Sequence, residues 1–284
     1  MTKSIVLIFH ENERNRDIPS FAIWHLAQIW RRDGIQVHAL FGVKKYIPAD
    51  LAVLHVDLTA VPQEYTDFAH RYPVALNRDL TNIGKSLISR NRVRPGDGYE
   101  GRVIVKSELN YAGQPERKLL GTFLSRLAFR VGCRFPYYRA KGMGPGPYFK
   151  SPTDYVIYES PRSVPGDWFH RDDILVEKFI PEIKDGFYCL RLYHFLGDRG
   201  VCILRKSSHP IVNTTTVTQR EVIEVHPEIA RLTKSMGFDY GKFDYVKHAG
   251  QPVLLDANKT PGGAHTEAFA AICPDWAEGI RAYL

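Results

Sequence analysis

The stretch that most constrains this chain lies near its end: Gly241-Lys-Phe-Asp244-Tyr-Val, then Val253-Leu-Leu-Asp256-Ala-Asn258, on either side of Ala249-Gly250. Tyr240 to Lys247 and Pro252 to Asp256 read as two strands, and the Ala-Gly dipeptide between them predicts a hairpin. Side chains alternate faces along a strand, so Asp256 and Asn258 point the same way. A turn that leaves Ala249 to Gln251 unpaired sets His248 opposite Pro252 and Asp244 opposite Asp256. That arrangement gathers two carboxylates and an amide oxygen on one face. A two-residue turn slips the register and sends the two aspartates to opposite faces. Aspartate is unfavourable in strands, and neighbouring carboxylates repel unless a cation lies between them. A few hard oxygen ligands with room for phosphate oxygens suit Mg2+ bound to a nucleotide. The competing reading is that Asp256 and Asn258 simply begin the loop Thr260-Pro261-Gly262-Gly263.

The rest of the chain supplies a frame for such a site. Ile5 to Phe9 is a buried-strand run and is read as a first strand, not as a signal peptide. A helical stripe of Ile23, Trp24, Ala27 and Trp30 follows, with Gly34 where a C-cap belongs. Gln36 to Phe41, Ala52 to Val56 and Pro73 to Leu76 are further strands, the last two around a polar helix that starts near Pro62. This alternation predicts a parallel sheet covered on both faces. Gly101 to Lys106 is a strand, and Pro115 opens a helix with Leu120, Phe123, Leu124, Leu127 and Val131 on one face. Residues 133–168 form a Pro/Gly/Tyr-rich excursion, read as a functional loop or an insertion. Ile174 to Phe179, Phe187 to Leu196 and Val201 to Lys206 are strands, with Gly197-Asp-Arg-Gly200 as a turn between the last two. A helix from Pro227 ends at Gly237, and another near the C-terminus carries Phe269, Ala270 and Trp276.

Composition excludes several function classes. No apolar run is long enough to span a bilayer. The net charge is +7, but the positive residues are scattered, which fits an anionic small molecule and gives no nucleic-acid groove. Cys133, Cys189, Cys202 and Cys273 form no C-x-x-C pair, so reduced thiols in a cytoplasmic protein are expected. Gly84-Lys85-Ser86 lacks the earlier glycine of a P-loop, since Asp79 stands there. Gly142, Gly144 and Gly146 do not make a dinucleotide fingerprint, and the eleven histidines include no zinc spacing. His10-Glu11-Asn-Glu13 is read as a solvated loop, and Tyr137, Tyr138, Tyr148 and Tyr155 as side chains that pack the long loop down.

Met236 to Val246 followed by Asp256-Ala-Asn258 resembles the metal-binding end of the ATP-grasp superfamily, where the Asp256 position is more often Glu. The resemblance implies an α/β fold, with an N-terminal Rossmann-like domain (1–84) and two α+β subdomains (85–180 and 181–284) that clasp ATP. It implies Asp244, Asp256 and Asn258 as ligands of Mg2+ or Mn2+. Val103-Ile-Val-Lys106 resembles the strand whose lysine contacts the phosphates, and Lys85 stands where an earlier nucleotide-contacting lysine does. Ile174-Leu-Val-Glu177-Lys178-Phe179-Ile180 resembles the hinge that reads adenine, with Asp185, or else Glu182, for the ribose. Arg191 resembles a strand-borne arginine near the phosphates. Arg205-Lys206 and Lys259 are candidates to hold the substrate carboxylate or an acyl phosphate. The implied activity is that of an ATP-dependent ligase joining a small-molecule carboxylate to an amine or thiol, and a homodimer is compatible with it. The alternatives are an ATP-grasp-like kinase and a nucleotide-binding module without turnover.

Overall fold

Strand β1 (Ser4–Phe9) is apolar from Ile5 onward because it is covered on both faces. Ile5, Leu7 and Phe9 pack with helix α1 (Ala22–Arg32), while Val6 and Ile8 pack with helix α2 (Gln63–Ala69). β2 (Gln36–Phe41), β3 (Leu51–Leu54) and β4 (Val74–Leu76) complete a parallel sheet of order β2-β1-β3-β4. Helix α2 is not polar as expected: Tyr65, Phe68 and Ala69 are buried in the second core. The computed structural model describes residues 2–15, 18–124, 149–262 and 267–284. Leu127, Val131, Cys133, the remaining excursion to Tyr148, and Gly263 lie outside them.

After the short helix α3 (Lys85–Ile88), strand β5 (Val103–Ser107) begins a three-stranded antiparallel sheet. Helix α4 (Gln114–Leu119) follows it, and β6 (Val156–Tyr158) and β7 (Ile174–Lys178) flank β5 in the order β6-β5-β7. The later half of the expected insertion therefore belongs to this body, since Phe149 and Trp168 share its core with Val103 and Val105.

The third sheet runs β11-β10-β9-β12-β13 and is antiparallel, with β8 pairing the start of β9. Its strands are β8 (Glu182–Lys184), β9 (Phe187–Leu196), β10 (Arg199–Ser207), β11 (Gln219–Ile223), β12 (Tyr240–His248) and β13 (Gln251–Asn258). Only Gly197 and Asp198 remain in the turn that the sequence extends to Gly200. Helix α5 (Pro227–Ser235) lies over one face, where Ile229 meets Tyr193, Phe243 and Tyr245. Helix α6 (Glu267–Ala277) returns to the first domain, and Trp30 donates its indole N–H to the Ala277 carbonyl at 3.0 Å. Cys189, Cys202 and Cys273 are buried and unbridged. Among the described residues, no helix is long and apolar enough to cross a membrane.

The Asn77 side chain ties the first sheet to the third. Asn77 follows β4 with φ 59°, a left-handed conformation that asparagine tolerates better than most residues. Its amide donates to the Tyr240 carbonyl at 2.8 Å and accepts from the Asp239 N–H at 3.0 Å, while its own N–H donates to Asp239 Oδ2 at 2.8 Å. Replacing Asn77 with Ala removes the side-chain bonds and strains the backbone, at a cost of roughly 3 kcal/mol. Urea unfolding of the Asn77→Ala variant is expected to show that loss as a lowered midpoint with an unchanged slope.

Candidate active site

The hairpin reaches the expected pairing by an unexpected route. Its turn has two residues, Ala249 and Gly250, with φ of 48° and 80°, so His248 pairs Gln251 and Tyr245 pairs Leu254. A regular ladder continued from there would set Asp256 opposite Phe243, on the fully buried apolar face under α5. A β-bulge intervenes instead. Leu255 is the extra residue, and Asp244 pairs Asp256 while Lys242 pairs Asn258. An unpaired carboxylate in an apolar core costs several kcal/mol, whereas a bulge gives up about one ladder hydrogen bond, worth about 1 kcal/mol. The two aspartates and the asparagine thus share a face, and Leu255 joins them in lining a cleft between the second and third sheets.

The cleft is lined by Lys85, Lys106, Arg205 and Lys242 as well as by Asp244 and Asp256. Lys242 Nζ is 2.8 Å from Asp244 Oδ1, and Lys85 Nζ is 3.8 Å from Asp256 Oδ1. Lys85 is itself buried and donates to the Leu109 carbonyl at 2.7 Å. It is set there by Glu108, whose carboxylate accepts from Ser86 N and Ser86 Oγ at the start of α3. A Cβ at Gly84 would stand 2.6 Å from Glu108 Oε1, so a larger residue there would push that carboxylate aside.

Lys106 and Glu177 lie on one face of the β5–β7 pair, with Lys106 Nζ 2.6 Å from Glu177 Oε2. Glu177 is buried behind the lysine and fixes it. Lys178, Phe179 and Ile180 follow along the cleft wall with Ile104, Pro181 and Leu190. The Ile180 N–H makes no backbone hydrogen bond to a described residue. Tyr155 closes this end of the cleft, and burial raises its phenol well above the ordinary value, so it stays protonated.

Four sequence candidates are placed elsewhere. Arg191 pairs Leu204 and Tyr245, which puts it on the face opposite Asp244. There its guanidinium donates from Nε to Glu182 Oε2 at 2.9 Å and from Nη2 to Glu182 Oε1 at 2.7 Å. Glu182 also accepts from the Lys247 N–H at 2.7 Å, so this buried pair braces β8 against β9 and β12 and is not part of the cleft. Asp185 sits in the β8–β9 turn with φ 55°, two-thirds exposed and 3.4 Å from Lys206 Nζ. Lys259 follows Asn258 and so faces the other way. It is buried, donates to the Leu58 carbonyl of the first domain, and is lowered by burial to about 8.

Arg205 is on the Asp244 side, opposite Leu190. Burial lowers its guanidinium from the ordinary value, with Asp244 opposing that shift, and its Nε is buried without a hydrogen-bond partner among the described residues. Lys242 was missed by the sequence reading although it lies two residues before Asp244 on the same strand, and period-two alternation alone would have found it. The first domain also reaches the site. Asp57 Oδ1 accepts from Thr260 Oγ1 at 2.7 Å, and the Thr260 N–H donates to Asn258 Oδ1 at 2.8 Å, which fixes the amide orientation of Asn258. His10 to Glu13 is not a solvated loop: Glu13 is buried and accepts from the His10 N–H at 2.8 Å, and His10 stacks on Tyr65.

Among the described residues, no three His, Cys, Asp or Glu side chains converge on a metal position. The donor set on the hairpin is two carboxylates and one amide oxygen, hard ligands that leave room for others. It suits Mg2+ carried with phosphates better than a soft or fully enclosed metal.

No protein-family model matches this sequence, and no curated protein matches it. Solved structures do match along the whole length. An ATP-grasp ligase, PsnB, solved with a minimal precursor, Mg and ADP, is 11% identical with a TM-score of 0.53, covering 100% of this chain and 99% of that one. The VanG D-Ala:D-Ser ligase of Enterococcus faecalis is 12% identical with a TM-score of 0.52, covering 100% of both. The macrocyclase MdnC of Microcystis aeruginosa, bound with precursor peptide MdnA, is 10% identical with a TM-score of 0.52, covering 97% of this chain and 98% of that one.

The two arginines are expected to respond oppositely to removal. Arg191→Met leaves Glu182 buried and unpaired, and should cost about 3–5 kcal/mol in urea unfolding while nucleotide affinity by calorimetry is unchanged. Arg205→Met should leave stability nearly intact. A nucleotide affinity that falls with Arg191→Met would return that residue to the site.

Proposed function

We propose that this chain, which has the fold of the ATP-grasp superfamily, is an ATP- and Mg2+-dependent ligase that activates a carboxylate as an acyl phosphate for attack by an amine or thiol. The observation that carries this reading is the opposed pair Asp244 and Asp256, with Asn258 on the same face, at the foot of a cleft rich in cations. Full-length likeness to ligases, one of them solved with Mg and ADP, supports it.

In this reading the apolar wall of Ile104, Pro181, Leu190 and Leu255 receives the adenine, and the Ile180 N–H is offered to a ring nitrogen. Lys106, held by Glu177, and Lys85 draw the phosphates along the β5 side. Asp244, Asp256 and Asn258 would hold Mg2+ or Mn2+, which when bound neutralises charge on the phosphate oxygens. Arg205 and Lys242 stand on the third sheet, where a carboxylate substrate can approach the terminal phosphate. Their fixed positive charge, in a site partly withdrawn from water, favours the charge that accumulates during transfer.

The carboxylate oxygen attacks the terminal phosphorus and ADP leaves. The amine or thiol then attacks the acyl carbon, phosphate departs, and the nucleophile gives up its proton. Such chemistry runs on positioning and electrostatics and needs no side-chain nucleophile. The neighbours' own substrates include a peptide precursor for MdnC and D-Ala and D-Ser for VanG, so the useful survey covers amino acids and peptides.

The test is ADP release with ATP and Mg2+ across pairs of carboxylates and amines. Turnover should require both partners. Turnover on a hydroxyl acceptor alone would mark a kinase instead. Asp256→Ala combined with Asn258→Ala should abolish Mg2+-dependent release with circular dichroism unchanged, and survival of activity would refute the metal assignment. Lys106→Ala should raise the ATP Kd by about tenfold or more, the loss of one charge-assisted contact.

A further inference from the structure

We propose that Tyr155 is a nucleotide-binding residue, its hydroxyl donating a hydrogen bond to a phosphate oxygen beside Lys106; this rests on the nucleotide reading of the same cleft.

The backbone places it there. β6 pairs β5 with Val156 opposite Val105 and Tyr158 opposite Val103. Continuing that ladder by one residue sets Tyr155 opposite Lys106, and cross-strand partners share a face. Tyr155 accordingly lines the cleft together with Lys106 and Asp256. Its ring meets Phe149 edge-on, with centroids 5.3 Å apart and planes at 88°.

The hydroxyl is buried and forms no well-shaped hydrogen bond with any described residue. Around its oxygen stand the Asp256 and Glu177 carboxylates as well as two donors, the Lys106 ammonium and the Ala112 N–H, and neither carboxylate accepts a hydrogen bond from the hydroxyl. A phenol has one proton to give and an oxygen that accepts. Here the proton is received by neither nearby carboxylate, and an acceptor-rich ligand such as a phosphate, drawn in by Lys106, completes the set. Leaving such a group unsatisfied is unfavourable, a cost that a purely structural tyrosine would shed by becoming phenylalanine.

The backbone opposite is also held against its preference. Tyr111, Ala112 and Gly113 are successively left-handed, with φ of 45°, 56° and 70°. For the two residues with a Cβ this conformation is unfavourable, and such strain gathers at ligand clamps. The turn follows β5 directly and presents the Ala112 N–H to Tyr155. The tyrosine that the sequence suggested was only packing down a long loop thereby becomes part of the phosphate end of the cleft.

The experiment compares the wild-type chain with Tyr155→Phe, by calorimetry with MgATP and with adenosine, and by thermal melting. The proposal expects the MgATP Kd to rise about tenfold, the adenosine Kd to stay unchanged, and the melting temperature to stay level or rise. An MgATP Kd within about twofold of wild type overturns it, as does an equal loss for adenosine, which carries no phosphate. A lowered melting temperature also overturns it, because the hydroxyl would then be a structural brace. If the wild-type chain itself fails to bind MgATP, the nucleotide reading falls and this inference with it. If wild type binds and Tyr155→Phe binds equally well, only this inference falls.

Discussion

Burying a carboxylate in an apolar core is so unfavourable that the β12–β13 hairpin gives up its regularity to avoid it. The two-residue turn at Ala249-Gly250 sets a register in which Asp256 would face Phe243 and the α5 core. Leu255 is extruded as a bulge, and from that point outward every side chain changes faces. Ala257 then enters the core, while Asp256 and Asn258 enter the cleft. The bulge follows from the chemistry of the side chains rather than from the turn. It supplies the geometry on which metal, phosphate and substrate assignments all depend.

Bringing Asp244 and Asp256 opposite one another creates repulsion that the protein answers with Lys242 and Lys85. Lys242 closes on both oxygens of Asp244, at 2.8 and 3.0 Å, whereas Lys85 stands 3.8 Å from Asp256 and gives its short bond to a backbone carbonyl. Contrast Arg191 and Glu182, which satisfy each other through two donors on the far side of the same sheet. The closed pair is a brace. In the proposed reading, the open Lys85–Asp256 contact is the one free to exchange partners with an incoming phosphate or cation.

Much of this was legible in the sequence because it follows from local periodicity. The β1 run, the α1 stripe, the strand Phe187 to Leu196 and the helix from Pro227 to Gly237 follow from apolar spacing, Pro and Gly positions. The hairpin was legible too, but its turn was misjudged: Ala249 adopts a left-handed φ that alanine rarely takes, so no residue announced a two-residue turn. β8 and β11 were missed for different reasons. The first has three residues, and the second is a largely exposed edge strand with little apolar signal. Arg191 was misplaced because its face is decided by how β9 pairs with β12, a contact between segments about fifty residues apart that no local pattern encodes.

Among the described residues the first domain contributes no side chain to the cleft lining, yet it holds the cleft end of the third sheet in place. Asn77 grips the start of β12 through Asp239 and Tyr240, and Asp57 holds Thr260, which orients the Asn258 amide. Lys259, two-sided in chemistry but fixed in direction, anchors the same loop to the Leu58 carbonyl. Both ends of the working hairpin segment are thus fastened to the carboxyl ends of parallel strands, where an open α/β sheet ordinarily presents residues to a ligand. Here those ends instead align side chains of the third sheet's hairpin. The hydrogen bonds from Asp57 through Thr260 to Asn258 therefore link the packing of the first domain to the orientation of the Asn258 amide, on the face that Asp244 and Asp256 share.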